Sequence, residues 1–226
     1  MKLSIVIPVY NEAGTVGALI DKVRALPLEK EILVVDDGST DGTAEALERF
    51  AGQPGLQVHR NPVNLGKGAS VRIGFRFATG DIVTVQDADF ELDPAEYLRL
   101  IQPIVDGTAD VVFGSRFLRS GPRGHLAFYL ANRTLTALGN LLFSTELTDL
   151  ETCYKLMRRE VLETLTLRAA RFELEPELMA QIVKRGYRIL ELPIDYRPRS
   201  AADGKKLSWR DGFAAVYTLL DQRLRP

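Results

Sequence analysis

The sequence predicts an α/β fold, a mostly parallel central sheet with helices on both faces, and three observations lead there. Short apolar runs alternate with segments of helical periodicity through the first half of the chain, the pattern of βαβ units. The runs are rich in Val and Ile and apolar throughout, as strands buried on both faces are. Polar clusters stand directly after three of them: Tyr10-Asn11-Glu12, Asp36-Asp37-Gly38-Ser39 and Gln86-Asp87-Ala88-Asp89. In such sheets ligands bind beyond the carboxyl ends of the strands, so three strands aim polar groups at one edge.

The elements follow in order. Residues 3–9 make the first strand, and Ala18, Leu19, Val23 and Leu26 then recur at helical spacing. A second strand at 32–35 leads to a helix at 44–50 and a short third strand at 56–59. The helix at 67–78 carries Val71, Phe75 and Ala78 on one face, and a fourth strand follows at 81–85. A helix at 97–105 and a fifth strand at 110–114 close the regular half. Beyond it come a long helix of mixed character at 126–143, a strand at 152–157, and a helix at 175–184 around Pro176. A strand at 188–193, a polar basic loop at 196–206 and a terminal helix at 209–223 complete the chain. No repeat, linker or low-complexity segment divides it, so one domain over 1–226 is expected.

Composition excludes several classes. Lys and Arg total 29 against 30 Asp and Glu, a net charge of -1, so there is no basic excess for nucleic acid. One cysteine, Cys153, cannot make an internal disulfide, and two histidines, His59 and His125, cannot make a histidine-rich metal site. Any metal falls to carboxylates, which suits Mg²⁺ or Mn²⁺. The apolar run at 3–9 is too short for a signal peptide. No uncharged apolar stretch of about 20 residues occurs, so a cytoplasmic protein is expected, peripheral at most to a membrane.

Asp87-Ala88-Asp89 is the sharpest chemical signal. Two carboxylates one residue apart at a strand end can share a divalent cation with substrate phosphates, and Glu91 can add a third oxygen. The bland alternative is a solvated turn. The acids at Asp36 and Asp37 can meet a ribose hydroxyl or a base N–H, or serve turn chemistry alone, with Asp41 near the next helix start. Asn64-Leu65-Gly66-Lys67-Gly68 opens a helix whose backbone N–H groups attract phosphate, with Lys67 as an added charge. It is neither a Walker A loop nor a dinucleotide fingerprint. Arg116, Arg123, Arg133, Arg197, Arg199, Lys205 and Lys206 supply groups that match phosphate oxygens, or else a solvated surface. An acidic step, 172–177, enters the next helix.

Taken in order, residues 4–12, 35–39, 64–68 and 87–89 resemble inverting family-2 glycosyltransferases of the GT-A fold, with its Rossmann-like sheet. Residues 114–116, 149–155 and 203–206 are similar to the polyprenol-phosphate sugar synthases, the dolichyl-phosphate mannose and glucose synthase group. The resemblance implies a nucleotide-sugar half at 1–115 and an acceptor half at 116–226. It puts Pro8, Tyr10, Glu12, Asp37 and Lys67 in the nucleotide pocket, and Asp87, Asp89 and Glu91 on Mg²⁺ or Mn²⁺ with the diphosphate. Arg116, Arg133 and Arg199 would hold phosphates, with Lys205 nearby in the basic loop. The implied reaction moves a hexose from GDP-mannose or UDP-glucose to a polyprenyl phosphate, with the helix at 126–143 and Trp209, Phe213 and Tyr217 candidates for membrane contact. The alternative is a sugar hydroxyl acceptor, which needs a carboxylate base, with Glu173, Glu175 or Asp149 as suspects. A non-enzymatic nucleotide-sugar binder is the remaining alternative.

Overall fold

Strand β1 (Leu3–Val9) is buried along its whole length apart from Pro8, which fixes it at the middle of a sheet. In this computed structural model, which describes residues 1–119, 126–198 and 209–225, it pairs in parallel with β2 (Lys30–Asp36) on one side and β4 (Ile82–Val85) on the other. The remaining strands are β3 (Leu56–Arg60), β5 (Val111–Ser115), β6 (Lys155–Arg158) and β7 (Ile189–Pro193), and the order across the sheet is β3-β2-β1-β4-β6-β5-β7. Only β6 runs against its neighbours; it is antiparallel to both β4 and β5.

Helices cover both faces, as the continuous apolar strands require. On one face α1 (Val16–Arg24), α2 (Thr43–Glu48), α4 (Tyr97–Leu100) and α5 (Gln102–Val105) bury Leu19, Ile20, Leu47, Tyr97 and Ile104 against Leu3, Ile5 and Ile7. On the other, α3 (Lys67–Phe77), α6 (Leu126–Phe143), α7 (Arg159–Thr164), α8 (Leu174–Lys184) and α9 (Trp209–Leu224) contribute Val71, Leu135, Val161, Leu178 and Leu219. Alternate residues of β5 divide between the two cores: Val112 joins the first, Val111 and Phe113 the second.

Two elements differ from expectation for identifiable reasons. The helix expected at 97–105 is two short helices, preceded by a 3₁₀ turn at Pro94–Glu96. Pro103 stands in the first turn of α5, where its missing N–H removes a bond that a continuous helix would need. The strand expected from 152 begins at Lys155 instead. Residues 152–154 turn: Tyr154 N–H donates to Thr152 Oγ1, and Lys155 N–H to the Cys153 carbonyl.

The edge of the sheet opposite the strand carboxyl ends is tied by one buried acid. Glu31 on β2 accepts from Lys2 Nζ at 2.7 Å, Ser4 Oγ at 2.5 Å, Thr79 N–H at 2.6 Å and Gly80 N–H at 3.1 Å. It thereby joins the start of β1 to the segment before β4. Burial works to raise its pKa, but the Lys2 ammonium and the Ser4 and Thr79 donors outweigh that and hold the carboxyl down at about 2. A depressed acid contributes stability above its unfolded pKa and loses it as pH falls through the folded one. Glu31→Gln is therefore expected to lower unfolding free energy by about 1–3 kcal/mol at pH 7. The gap to the parent should narrow between pH 4.5 and 2, as read by urea denaturation across that range.

Candidate active site

A cavity of about 640 Å³ opens over the carboxyl ends of the central strands. Pro8, Tyr10 and Glu12 reach it from the end of β1 and Asp37 from β2. Asp87, Asp89 and Glu91 reach it from the turn after β4, and Arg116 from the end of β5. Lys67 enters from the first residue of α3. These nine expected residues do converge. The second half of the chain adds Asn132 on α6, Glu151 before β6, Arg171, Glu175 on α8, and Tyr196.

The floor is a buried charge network. Lys67 Nζ lies 2.8 Å and 2.9 Å from the two Asp87 oxygens and 3.4 Å from Glu175 Oε1. The other Glu175 oxygen meets Lys155 Nζ at 2.6 Å, and that ammonium also donates to the Leu150 carbonyl at 2.9 Å. Burial disfavours the Lys67 charge, but Asp87 and Glu175 more than offset it and hold the ammonium above the ordinary lysine range. Asp89 Oδ1 accepts the Glu91 N–H at 3.1 Å, which shapes the turn after β4.

Arg116, which also lines the cavity, forks onto Asp149. Nε and one terminal nitrogen each lie 2.7 Å from its oxygens, and the Arg116 backbone N–H donates at 3.0 Å. Asp149 has no exposed surface, and Glu191 accepts from the Asp149 and Thr148 N–H groups. The Phe117 and Tyr196 rings lie 5.5 Å and 5.3 Å from the guanidinium carbon. Burial opposes the Arg116 charge, and Asp149 fixes it in place. Burial pushes the Glu191 carboxyl up, and Glu151 goes the same way. Burial first and the Glu175 charge second push its carboxyl up to about 7, against the pull of Lys155 and Arg116.

Several expectations are corrected. Arg133 does not line the cavity; it is exposed and donates to the Thr148 carbonyl at 3.0 Å. Its neighbour Asn132 faces inward instead, and successive residues turn about 100° on a helix. Asp37 borders the cavity, but its oxygens accept from Asn61 Nδ2 at 2.9 Å and from the Leu65 and Gly66 N–H groups at 2.9 Å and 2.7 Å. These bonds secure the loop into α3. The start of α3 is also occupied: Ala69 N–H donates to the Ala170 carbonyl. A Cβ on Gly68 would stand 2.7 Å from the Arg171 carbonyl oxygen and 2.8 Å from that of Ala169, so this glycine serves close packing. Of the suspected bases, Asp149 is held by Arg116, Glu175 lies between two lysines, and Glu173 accepts the Ala170 and Arg171 N–H groups. Arg123, Arg199, Lys205 and Lys206 lie outside the described residues.

Among the described residues no three His, Cys, Asp or Glu side chains form a ready metal cage, and no helix is long and apolar enough to cross a membrane. Leu126, Leu130 and Leu141 on α6 and Phe213, Tyr217 and Leu224 on α9 are exposed.

The profile of the family described as glycosyl transferase family 2 matches residues 4–166. The chain belongs to this family. Among its relatives, a dolichol-phosphate mannosyltransferase of Pyrococcus furiosus is 30% identical over 212 residues, covering 91% of this chain and 59% of that protein. An undecaprenyl-phosphate mannosyltransferase of Micrococcus luteus is 28% identical over 228 residues, covering 96% and 92%. The chain thus spans little more than half the length of the first and most of the second. The crystal structure of glucosyl-3-phosphoglycerate synthase from Mycobacterium tuberculosis, in complex with Mn²⁺, UDP and glucosyl-3-phosphoglycerate, shares the fold. Its TM-score is 0.77 at 22% identity, over 100% of this chain and 81% of that one. The GT-A fold implied by the sequence motifs is therefore present.

Glu151 gives this family member a specific pH signature. An acid whose folded pKa lies above its unfolded value binds a proton more tightly when folded, so stability falls as pH rises between the two. Glu151→Gln is expected to match the parent in thermal midpoint at pH 4.5 and to exceed it increasingly as pH rises toward 7 and above. A constant offset across pH would contradict the assignment.

Proposed function

We propose that this protein is a metal-dependent inverting hexosyltransferase that moves a sugar from a nucleotide diphosphate to a polyprenyl phosphate. The observation that carries this reading is the lining of the cavity, which brings the carboxylates Asp87 and Asp89 together with the guanidinium of Arg116. The names of the two mannosyltransferase relatives point the same way.

The donor set fits the cation. Asp87, Asp89 and Glu91 offer hard carboxylate oxygens at one strand end, and Mg²⁺ or Mn²⁺ needs only one or two carboxylates beside substrate phosphates. Bound there, the ion would neutralise charge on the departing diphosphate. Lys67, kept protonated by Asp87 and Glu175, adds a fixed positive charge beside Asp87. Pro8, Tyr10 and Glu12 border the space left for the nucleoside.

A lipid phosphate is already ionised and attacks the anomeric carbon without a strong base. The commitment of Asp149, Glu173 and Glu175 to other partners agrees with that. The acceptor instead needs a cation, and Arg116 is oriented by Asp149 to supply one while Tyr196 flanks it. The exposed apolar side chains of α6 and α9 give a surface suited to peripheral contact with the membrane that carries such a lipid.

The test is sugar transfer from UDP-glucose and GDP-mannose to a short polyprenyl phosphate. We expect glycolipid from one donor with Mg²⁺ or Mn²⁺, and none with chelator. Asp89→Ala should lower the rate roughly a hundredfold or more with an unchanged circular dichroism spectrum. Full activity in that variant would remove the metal assignment. Donor hydrolysis without glycolipid would move the acceptor to a hydroxyl.

A further inference from the structure

Two side chains that line the cavity each carry a buried oxygen with no hydrogen-bond partner among the described residues: Glu151 Oε1 and Asn132 Oδ1. Several neighbouring acids have partners in the protein. Asp37 accepts three bonds, Asp149 holds Arg116, and Glu175 joins two lysines. A buried acceptor left unpaired costs on the order of 1–3 kcal/mol. Such atoms are uncommon, and at a binding site they fit a ligand that brings the missing donor.

Chemistry narrows that ligand. A carboxylate oxygen and an amide carbonyl oxygen both accept. A phosphate oxygen also accepts, so it leaves the Asn132 oxygen unpaired and is repelled by Glu151 in its ionised form, and an alkyl chain has nothing to donate. A sugar hydroxyl donates.

Position narrows it further. Glu151 lines the same cavity as Lys67, Asp87, Glu175 and Arg116. It therefore shares that space with the Lys67, Asp87 and Glu175 cluster and with the Arg116 and Asp149 pair. If the diphosphate occupies the first and the acceptor phosphate the second, the transferred sugar has to sit between them. Asn132 comes from above. Thr136, one turn later on α6, accepts the Leu150 N–H at 3.1 Å, and residues four apart share a helix face. That face of α6 lies over the segment carrying Glu151.

We propose that Glu151 and Asn132 form the subsite that grips the hydroxyls of the transferred hexose. This rests on the reading of the protein as a nucleotide-sugar enzyme and adds to it the residues that distinguish a sugar nucleotide from the bare nucleotide. Neither is placed as a proton carrier.

Calorimetric titration with Mn²⁺ separates the possibilities, using UDP, GDP, UDP-glucose, UDP-galactose and GDP-mannose as probes. The parent protein should bind one nucleotide sugar more tightly than its own nucleotide. Glu151→Ala and Asn132→Ala should each lose about tenfold or more of that margin. Their affinity for the bare nucleotide should stay within about twofold, which also reports an intact fold. Glu151→Gln, which keeps an acceptor oxygen, should retain more of the margin than Glu151→Ala, and turnover should fall in step with it. An undiminished margin in both alanine variants would overturn the subsite. So would Glu151→Gln with a full margin but turnover lowered about a hundredfold, because Glu151 would then be taking a proton from a hydroxyl acceptor. A parent that binds nucleotide with no margin for any of these hexoses would overturn the subsite while leaving the nucleotide reading intact. A parent that binds no nucleotide at all would overturn both.

Discussion

Glu175 is shared between two lysines, and the rest of the site is arranged around that sharing. One oxygen faces Lys67 at the start of α3 and the other faces Lys155 on β6. All three side chains are largely withdrawn from water. A buried ion cluster holds only while every member keeps its partner, and removing one leaves a desolvated charge. Helix α8 must therefore present Glu175 at one depth, and α3 and β6 must meet it there. Asp87 is then placed by Lys67, so the position of the acidic wall depends on an acid that belongs to the other half of the chain.

The Arg116 wall is built on the same principle with other groups. Arg116 is immobilised by Asp149, and Glu191 accepts from the backbone just before it. Each wall thus carries a cation whose orientation is set before any ligand arrives. Preorganised charge in a cavity with low-dielectric walls acts more strongly than the same charge in water and needs no rearrangement when a phosphate enters. Glu151 and Asn132 line the same cavity, and each carries a buried oxygen without a hydrogen-bond partner among the described residues.

How much of this was legible in the sequence divides along the same line. Strands β1, β2, β4 and β5 are continuous apolar runs because parallel strands buried on both faces must be, and the polar clusters ending them locate the cavity. The roles of the individual acids were less legible. Asp36-Asp37 reads alike whether it meets a ligand or its own loop; the bonds from Asn61, Leu65 and Gly66 show that Asp37 serves the loop while it also borders the cavity. Arg133 and Asn132 differ by one step around α6, a rotation that a helix of mixed character does not fix in advance. Glu151, Arg171 and Tyr196 reach the cavity through long-range contacts of the second half. Glu151 left one usable trace, an acid beside the Thr152-Cys153 turn at the entry to a buried strand.

The single reversed strand has a consequence for the order in which the molecule assembles. β6 stands between β4 and β5, pairing Ile82 with Arg158 and Val111 with Met157. On a ribosome, β1 to β4 are all available to pair while the chain is still growing, since domains tend to organise from the N-terminus during synthesis. β5 emerges next but has no place beside β4, because that place belongs to a strand translated some forty residues later. Until residue 158 has been made, β3-β2-β1-β4 can pair as a parallel sheet, but β4 has no partner on its other edge and β5 no place beside it. Closing that gap joins distant parts of the chain, the kind of contact that folds slowly, and the same event brings Lys155 to the place where Glu175 will meet it. The cavity therefore comes into being late in synthesis, after the sheet that supports it.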